Sequence, residues 1–133
     1  MSGKGQVVSD KRMQGAIKDY KDLLVWQKGM KLAKEIYLFT RGFPQEETFG
    51  LIAQMRRASV SVPSNVAEGQ ARHTTGEFVL FVSHAEGSLA ELDTQTRLSK
   101  ELGFSSATEA DSILARILEL QKMLKSLRAK LKA

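Results

Sequence analysis

An apolar seam near the C-terminal end of the chain is the feature that most limits its fold. The members of the seam are separated alternately by four and three residues: Ile113, Ile117, Leu120, Leu124, Leu127 and Leu131. This spacing places side chains on one face of an α-helix, whereas a half-buried strand alternates in steps of two. The seam therefore predicts a long amphipathic helix.

Helical spacing recurs in three earlier segments, and no segment shows a strand pattern. We expect helix one from Asp22 to Arg41 and helix two from Pro44 to Ala71. Helix three begins at Thr74 and stops at Gly103, and helix four opens at Ser106. The seam of helix three consists of Phe78, Val82, Ala85, Leu89, Leu92, Thr96 and Ser99.

Helix one carries two adjacent apolar seams instead of one. The first seam contains Leu23, Trp26, Met30, Ala33 and Tyr37. The second seam contains Val25, Gly29, Leu32, Ile36 and Phe39. Together they form an apolar face that is wider than a two-stranded coiled coil needs.

Capping signals mark where the helices start. Thr74 with Glu77, and Ser106 with Glu109, have the spacing of a capping box. Pro44 suits the first position of helix two, and the two glutamates that follow it suit the first turn.

Four helices joined by short turns predict an all-α protein, an antiparallel up-down-up-down four-helix bundle over residues 20–133. Residues 1–19 lack a sustained period and are predicted to be a flexible, mildly basic tail. The chain contains no cysteine, which excludes disulfides, thiolate zinc sites and a cysteine nucleophile. With no signal-peptide core and no membrane-length apolar run, we expect a cytoplasmic protein.

The net charge of +5 is unevenly distributed along the chain. Residues 1–40 sum to +4, residues 41–115 to −4 and residues 116–133 to +5. In the predicted bundle the basic segments meet at one end. A basic end of this kind favours binding of the phosphate backbone of a nucleic acid. The same cations also suit the dipole of a helix C-terminus. Both interpretations stay open.

The stretch from Phe49 to Gly69 holds an adjacent arginine pair and an internal proline. Arg56 and Arg57 point about 100° apart on a helix and cannot share one narrow face. One of the two is expected to pair with a carboxylate of a neighbouring helix, such as Glu68, Glu86 or Glu91, while the other faces solvent or another subunit. The alternative is contact with phosphate, which suits the guanidinium fork. Pro63 removes one helical hydrogen bond, so tertiary packing must hold the helix there.

Small and polar residues around Pro63 and on helix three indicate close helix approach. Ser64 and Asn65 can bond to a freed carbonyl or across an interface. Gly87 lies in mid-helix, where glycine costs roughly 1 kcal/mol of helix propensity. It is expected to allow close approach of a helix, within the bundle or between copies.

No arrangement of residues supports catalysis or metal binding. A di-metal bundle requires inward-facing Glu-x-x-His motifs, and the chain has none. His84 is interpreted as a histidine at the edge of the core, and no phosphate loop or hydrolase motif is present. We therefore expect neither an enzyme nor a cofactor.

Three segments, in order, resemble a bacterial family: DLLVWQKGMKLAKEIY, FGLIAQMRRASVSVPSNVAEG and GSLAELDTQTRLSKELGF. The chain is similar to the four-helix bundle proteins encoded within intervening sequences of 23S ribosomal RNA genes. The resemblance covers about Asp22 to Leu127, and SVPSNVAEG is its most specific part. Retroelement accessory variability proteins look like distant relatives.

The resemblance implies a protomer that assembles into a ring-like homopentamer and associates with structured nucleic acid. The distant relatives are thought to bind nucleic acid and a reverse transcriptase. None of the matching positions is implied to be catalytic: Arg56, Arg57, Pro63, Ser64, Asn65, Glu68, Gly69, Gly87, Glu91 and Thr94.

The leading hypothesis is a non-catalytic, homo-oligomeric module that binds structured nucleic acid, with RNA favoured, through a basic surface. Its candidate cations are Arg56, Arg57, Arg72, Lys122, Lys125 and Arg128. The residues assigned to an oligomer interface or to the helix kink are Pro63, Ser64, Asn65, Glu68, Gly87 and Glu91. The alternative is a protein–protein scaffold without direct nucleic-acid binding. The choice between RNA and DNA and the presence of a protein partner remain open.

Overall fold

The computed structural model describes residues 19–133 and contains four α-helices. They are α1 (Leu24–Thr40), α2 (Leu51–Gln70), α3 (Thr75–Glu101) and α4 (Ala107–Lys132). Short 3-10 turns occur at Tyr20–Asp22 and Gln45–Glu47, and this part of the chain has no strand. The tail predicted over residues 1–19 lies outside the described residues except for Asp19.

The helices pack as a closed cycle around one core. Helix α1 contacts α2, α2 contacts α3, α3 contacts α4, and α4 returns to α1. Within residues 19–133 no Cα atoms of the diagonal pairs, α1 with α3 and α2 with α4, come within 8 Å of each other. The all-helical prediction is therefore confirmed, and the packing is that of a four-helix bundle.

The core follows the predicted seams of α3 and α4. Every member of both seams is buried, from Phe78 to Ser99 on α3 and from Ile113 to Leu131 on α4. Only part of the double seam of α1 is buried. Its second seam lies in the core from Val25 to Ile36, whereas Met30 and Tyr37 of the first seam remain exposed.

The helix ends of α3 and α4 confirm the capping predictions. The Thr74 hydroxyl accepts the backbone N–H of Glu77 at 3.1 Å, and Ser106 accepts that of Glu109 at 3.1 Å. Gly103 ends α3 with φ +76°, the left-handed conformation that glycine adopts without strain. Its N–H donates to the Lys100 carbonyl at 3.1 Å, as in a Schellman motif.

The predicted start of helix two at Pro44 is wrong, because α2 begins seven residues later at Leu51. Pro44 has ψ 140° and precedes the 3-10 turn instead of entering a helix. Gly50, with φ −106° and ψ −111°, then interrupts helical geometry. Glu47 still serves the helix N-terminus, since its carboxylate accepts the N–H of Leu51 at 3.2 Å.

Gly69, the last residue of the SVPSNVAEG motif, lets α2 approach α3 closely. A Cβ at this position would lie 2.8 Å from Cβ of Phe81 and 3.0 Å from Cδ1 of Phe78. No ordinary Cβ contact is that short, so any side chain here pushes the two helices apart. The glycine is therefore required by packing.

Pro63 packs against a second glycine, on α1. Helix α2 is continuous across this proline, which is buried. A Cβ on Gly29 would lie 3.4 Å from Cβ and Cδ of the proline ring. The two residues thus bring α1 and α2 together at the position where proline removes one hydrogen bond from α2.

We predict that Gly69→Ala lowers the free energy of unfolding by about 1–3 kcal/mol, because the added methyl overpacks the α2–α3 contact. Urea denaturation followed by circular dichroism measures the change. The control is Gly76→Ala, at which a Cβ meets nothing within 4 Å. Equal stabilities of the two variants would contradict the packing role of Gly69.

Candidate nucleic-acid interface

Arg56 holds the C-terminal end of α1. Its Nε donates to the hydroxyl of Thr40 at 3.0 Å, and one terminal nitrogen donates to the Tyr37 carbonyl at 3.3 Å. Its guanidinium also lies 4.6 Å from the centre of the Tyr37 ring. Thr40 is fully buried. Arg56 therefore caps a helix and forms no ion pair with the predicted carboxylates within residues 19–133, and its assignment as a phosphate ligand stays a prediction.

Arg57 has a different environment from its neighbour. It is exposed, and no hydrogen bond or ion pair engages it within the described part of the chain. It lies on the same face of α2 as Val60 and Ser64, which follow at helical spacing. Of the arginine pair, Arg57 is thus the side chain available to a ligand.

The other two candidate arginines, Arg72 and Arg128, form ion pairs with carboxylates. Arg72 bonds to Glu68 at 2.8 Å, one turn earlier, and its guanidinium lies 4.8 Å from the ring centre of Phe81. Arg128 forms a two-pronged bond to Glu86 at 2.9 and 3.3 Å, which joins α4 to α3. Their assignment as phosphate ligands stays a prediction, and each arginine would have to release its carboxylate to bind phosphate.

Lys122 and Lys125 are exposed on α4, as the hypothesis requires. Lys132 lies on the same face, and the three positions fall within about 80° of each other around the helix. No carboxylate pairs with any of them within residues 19–133. We call these three residues the α4 lysine stripe. Lys132 was not among the six candidate cations, because the C-terminal cations were expected to spread around the solvent side of the helix without forming one stripe.

The six candidate cations do not form one surface in a single protomer. Arg57 lies on α2 and the lysine stripe on α4, and these two helices are diagonal to each other in the bundle. Three of the six are engaged within the protomer, which leaves Arg57, Lys122 and Lys125. The α4 lysine stripe brings three unpaired cations to one helix face within the described residues.

Most residues assigned to the kink or to an interface also make contacts within the protomer. The Asn65 amide donates to the Ser61 carbonyl at 2.7 Å, and the Gln95 amide donates to Glu91 at 3.2 Å. Ser64 is exposed. Glu68 pairs with Arg72, as described above.

Gly87 makes no close approach inside the bundle, which corrects one of its two predicted roles. It is exposed, and a Cβ at this position would meet nothing within 4 Å. It lies on the outer face of α3, together with exposed Leu80, Leu98 and Leu102. We call this face the α3 outer seam. Packing within the protomer gives no reason for glycine there.

The uncovered seam of α1 forms one wall of a groove between α1 and α2, the α1–α2 groove. Its walls include Trp26, Met30, Tyr37, Val60, Pro63 and Ser64. The groove encloses about 560 Å³. The double apolar seam of helix one was the sequence signal for this surface, although the groove itself was not predicted.

The described residues contain no group of three or more histidine or acidic side chains that could hold a metal ion. His84 makes an edge-to-face contact with Phe81, with ring centres 5.5 Å apart. No helix within residues 19–133 is both long and apolar enough to cross a lipid bilayer.

The fold and surfaces define the chain as a four-helix protein with an unpaired lysine stripe and two uncovered apolar faces. The family model for the 23S rRNA-intervening sequence protein matches residues 21–126. The chain belongs to this family, which confirms the resemblance inferred from its motifs.

A solved structure with the same fold comes from Bacteroides thetaiotaomicron. It is the 1.70 Å crystal structure of a protein with unknown function from the S23 ribosomal protein family. The two chains are 21% identical with a TM-score of 0.70, and the match covers 77% of this chain and 96% of the other. No curated protein matches the sequence.

We predict that Arg56→Ala lowers the free energy of unfolding by about 1–3 kcal/mol, because two acceptors at the end of α1 lose their donor. The neighbouring Arg57→Ala serves as a matched control and is expected to change it by no more than about 0.5 kcal/mol. Chemical denaturation of both variants measures the difference. A larger loss for Arg57→Ala would contradict the capping role.

Proposed function

We propose that the protein is a non-catalytic, homo-oligomeric four-helix bundle that binds structured nucleic acid in the cytoplasm, with RNA favoured over DNA. The α4 lysine stripe is the contact surface, and the protein requires no cofactor. One observation carries the proposal: Lys122, Lys125 and Lys132 share an exposed helix face and lack carboxylate partners among the described residues.

Unpaired lysines bind phosphate at a lower free-energy cost than lysines that are paired with a carboxylate. A lysine that already neutralises a carboxylate must give up that partner before it binds phosphate. Lysines of the stripe bind phosphate at no such cost, and each contact releases counterions from the nucleic acid. Self-association multiplies the stripe by the number of copies, so binding without base-specific contacts becomes strong.

The bundle is proposed to be antiparallel, up-down-up-down. Ion pairs between α1 and α4 support it, because the residue numbers rise along α1 while those of the partners on α4 fall. Lys28 of α1 pairs with Glu119 of α4 at 3.1 Å, and Glu35 pairs with Arg116 at 3.0 Å. In this arrangement the end of α4 lies beside the start of α1, and the free lysines gather at one end.

The preference for RNA is supported by the family alone, whose description refers to intervening sequences in 23S rRNA. Lysine side chains read phosphate and do not distinguish ribose from deoxyribose. Comparison of RNA with duplex DNA is therefore part of the test.

A protein–protein scaffold is the second candidate, and the α3 outer seam favours it. Glycine in the middle of a 27-residue helix costs roughly 1 kcal/mol of helix propensity. Gly87 brings no packing gain inside the protomer to offset this cost. Close approach of a partner helix would account for the glycine.

We predict that replacing Lys122, Lys125 and Lys132 together by alanine weakens binding of a labelled RNA hairpin and reduces its salt dependence. The slope of log K against log salt should fall by nearly one for each phosphate that the protein no longer neutralises. Fluorescence anisotropy across a salt series measures both quantities.

The matched control replaces Lys21, Lys28 and Lys100, which pair with Asp19, Glu119 and Asp111. It removes the same charge and should leave the slope nearly unchanged. Equal slopes for the two triple variants would rule out the α4 lysine stripe as the contact surface. Equal binding of duplex DNA would remove the preference for RNA.

For the scaffold, we predict that Gly87→Leu leaves the protomer folded and lowers the mass of the assembly in solution. The leucine has open space within the protomer but prevents close approach of a second helix. Light scattering after size-exclusion chromatography measures the mass, with Gly76→Leu as control. An unchanged mass would exclude the α3 outer seam as the site of assembly.

A further inference from the structure

The α1–α2 groove is an apolar surface that the protomer leaves uncovered. Large apolar side chains on both walls remain open to solvent, with 48% of Met30, 43% of Tyr37 and 42% of Val60 exposed. Trp26 and Pro63 complete the groove. Scattered apolar residues are ordinary on a protein surface, but a contiguous patch of this kind marks a binding site.

Positive charge flanks the groove on both sides. Lys34 lies on the α1 wall, and Arg57 follows the same face of α2 as Val60. Both side chains are exposed, and no carboxylate pairs with either of them within residues 19–133. The groove therefore suits an apolar or aromatic side chain that is accompanied by negative charge.

The chain itself carries such a side chain at Phe49. Phe49 is 95% exposed, the largest exposed fraction of any large hydrophobic residue described. Glu46 and Glu47 precede it in the 3-10 turn. Glu47 caps α2, whereas Glu46 is exposed. An aromatic ring fully in water next to an acidic turn complements a positively flanked apolar groove.

Phe49 cannot reach the groove of its own protomer. It precedes α2 by two residues, and Val60, the groove residue of α2 nearest to it in sequence, lies nine residues beyond Leu51, where the helix begins. At 1.5 Å per residue, Leu51 and Val60 are separated by about 14 Å along a rigid helix, and Phe49 is not among the residues that line the groove of its own protomer. Only a second copy of the chain can bring this phenylalanine to the groove.

We propose that Phe49 of one copy inserts into the α1–α2 groove of another copy, with Glu46 facing Lys34 and Arg57. The contact rests on the self-association that is part of the proposed function, and it adds the interface. Phe49, which we call the knob, and the α1–α2 groove are different surfaces of the protein. The contact between copies is therefore heterologous, and each copy carries one knob and one groove. Repetition of such a contact produces a closed ring when the rotation between copies allows it.

Two single variants and their mixture test this contact. Phe49→Ala removes the knob and keeps the groove, while Val60→Glu keeps the knob and places a carboxylate in the groove. We expect the mass of each variant to fall from that of the wild-type assembly to the 14.7 kDa protomer. The control is Leu118→Ala on α4, which removes an exposed leucine outside both surfaces and should keep the wild-type mass.

The equimolar mixture separates this contact from any symmetric interface. Phe49→Ala supplies a groove and Val60→Glu supplies a knob, so one productive contact forms and a species of twice the protomer mass appears. Trp26 is the only tryptophan and lines the groove, so its fluorescence reports occupancy directly. Acrylamide quenching of Trp26 should be several-fold weaker in the wild-type assembly than in Phe49→Ala.

Three outcomes would overturn the contact. A Phe49→Ala protein that keeps the wild-type mass excludes the knob, and a mixture that stays monomeric excludes the pairing. Protection of Trp26 in a monomeric Phe49→Ala protein would show that another part of the chain, such as residues 1–18, covers the groove. A wild-type protein that is monomeric at all concentrations would instead refute self-association itself.

Discussion

The apolar face of α1 is too wide to be buried by one bundle, and much of the surface follows from this constraint. A helix in a four-helix bundle turns one seam toward the core, and the seam from Val25 to Ile36 takes that position. Gly29 of this same seam packs against Pro63 and brings α1 close to α2, while Met30 and Tyr37 of the parallel seam stay exposed. The remaining apolar side chains form the α1–α2 groove, so the groove results from an excess of apolar residues on α1.

Local sequence signals predicted the features that depend on near neighbours. The α3 and α4 residues that the helical spacing assigns to the seams are buried. Thr74 and Ser106 cap the helices that follow them. The start of α2 was missed because Pro44 is compatible with two structures, and the backbone of Gly50 decides between them. An isolated segment does not contain that information.

The fates of the charged side chains were less predictable, because their partners are distant in sequence. Arg56 finds acceptors 16 and 19 residues away, and Arg128 finds Glu86 across 42 residues. Both were candidate phosphate ligands in the sequence, and both join helices in the structure. The α4 lysine stripe is recognised only after these arginines are assigned to their partners. The cations that remain unpaired then define a surface, which the number of positive residues alone does not.

Helix α2 sets a fixed distance between its contact with α1 and its contact with α3. Arg56 attaches it to the end of α1, and Gly69 fits it against α3 thirteen residues later. Insertion of a single residue between these positions would rotate one anchor by about 100° relative to the other and detach it. Length changes in related chains should therefore collect in the connections at residues 41–50 and 102–106, while the spacing inside α2 stays constant.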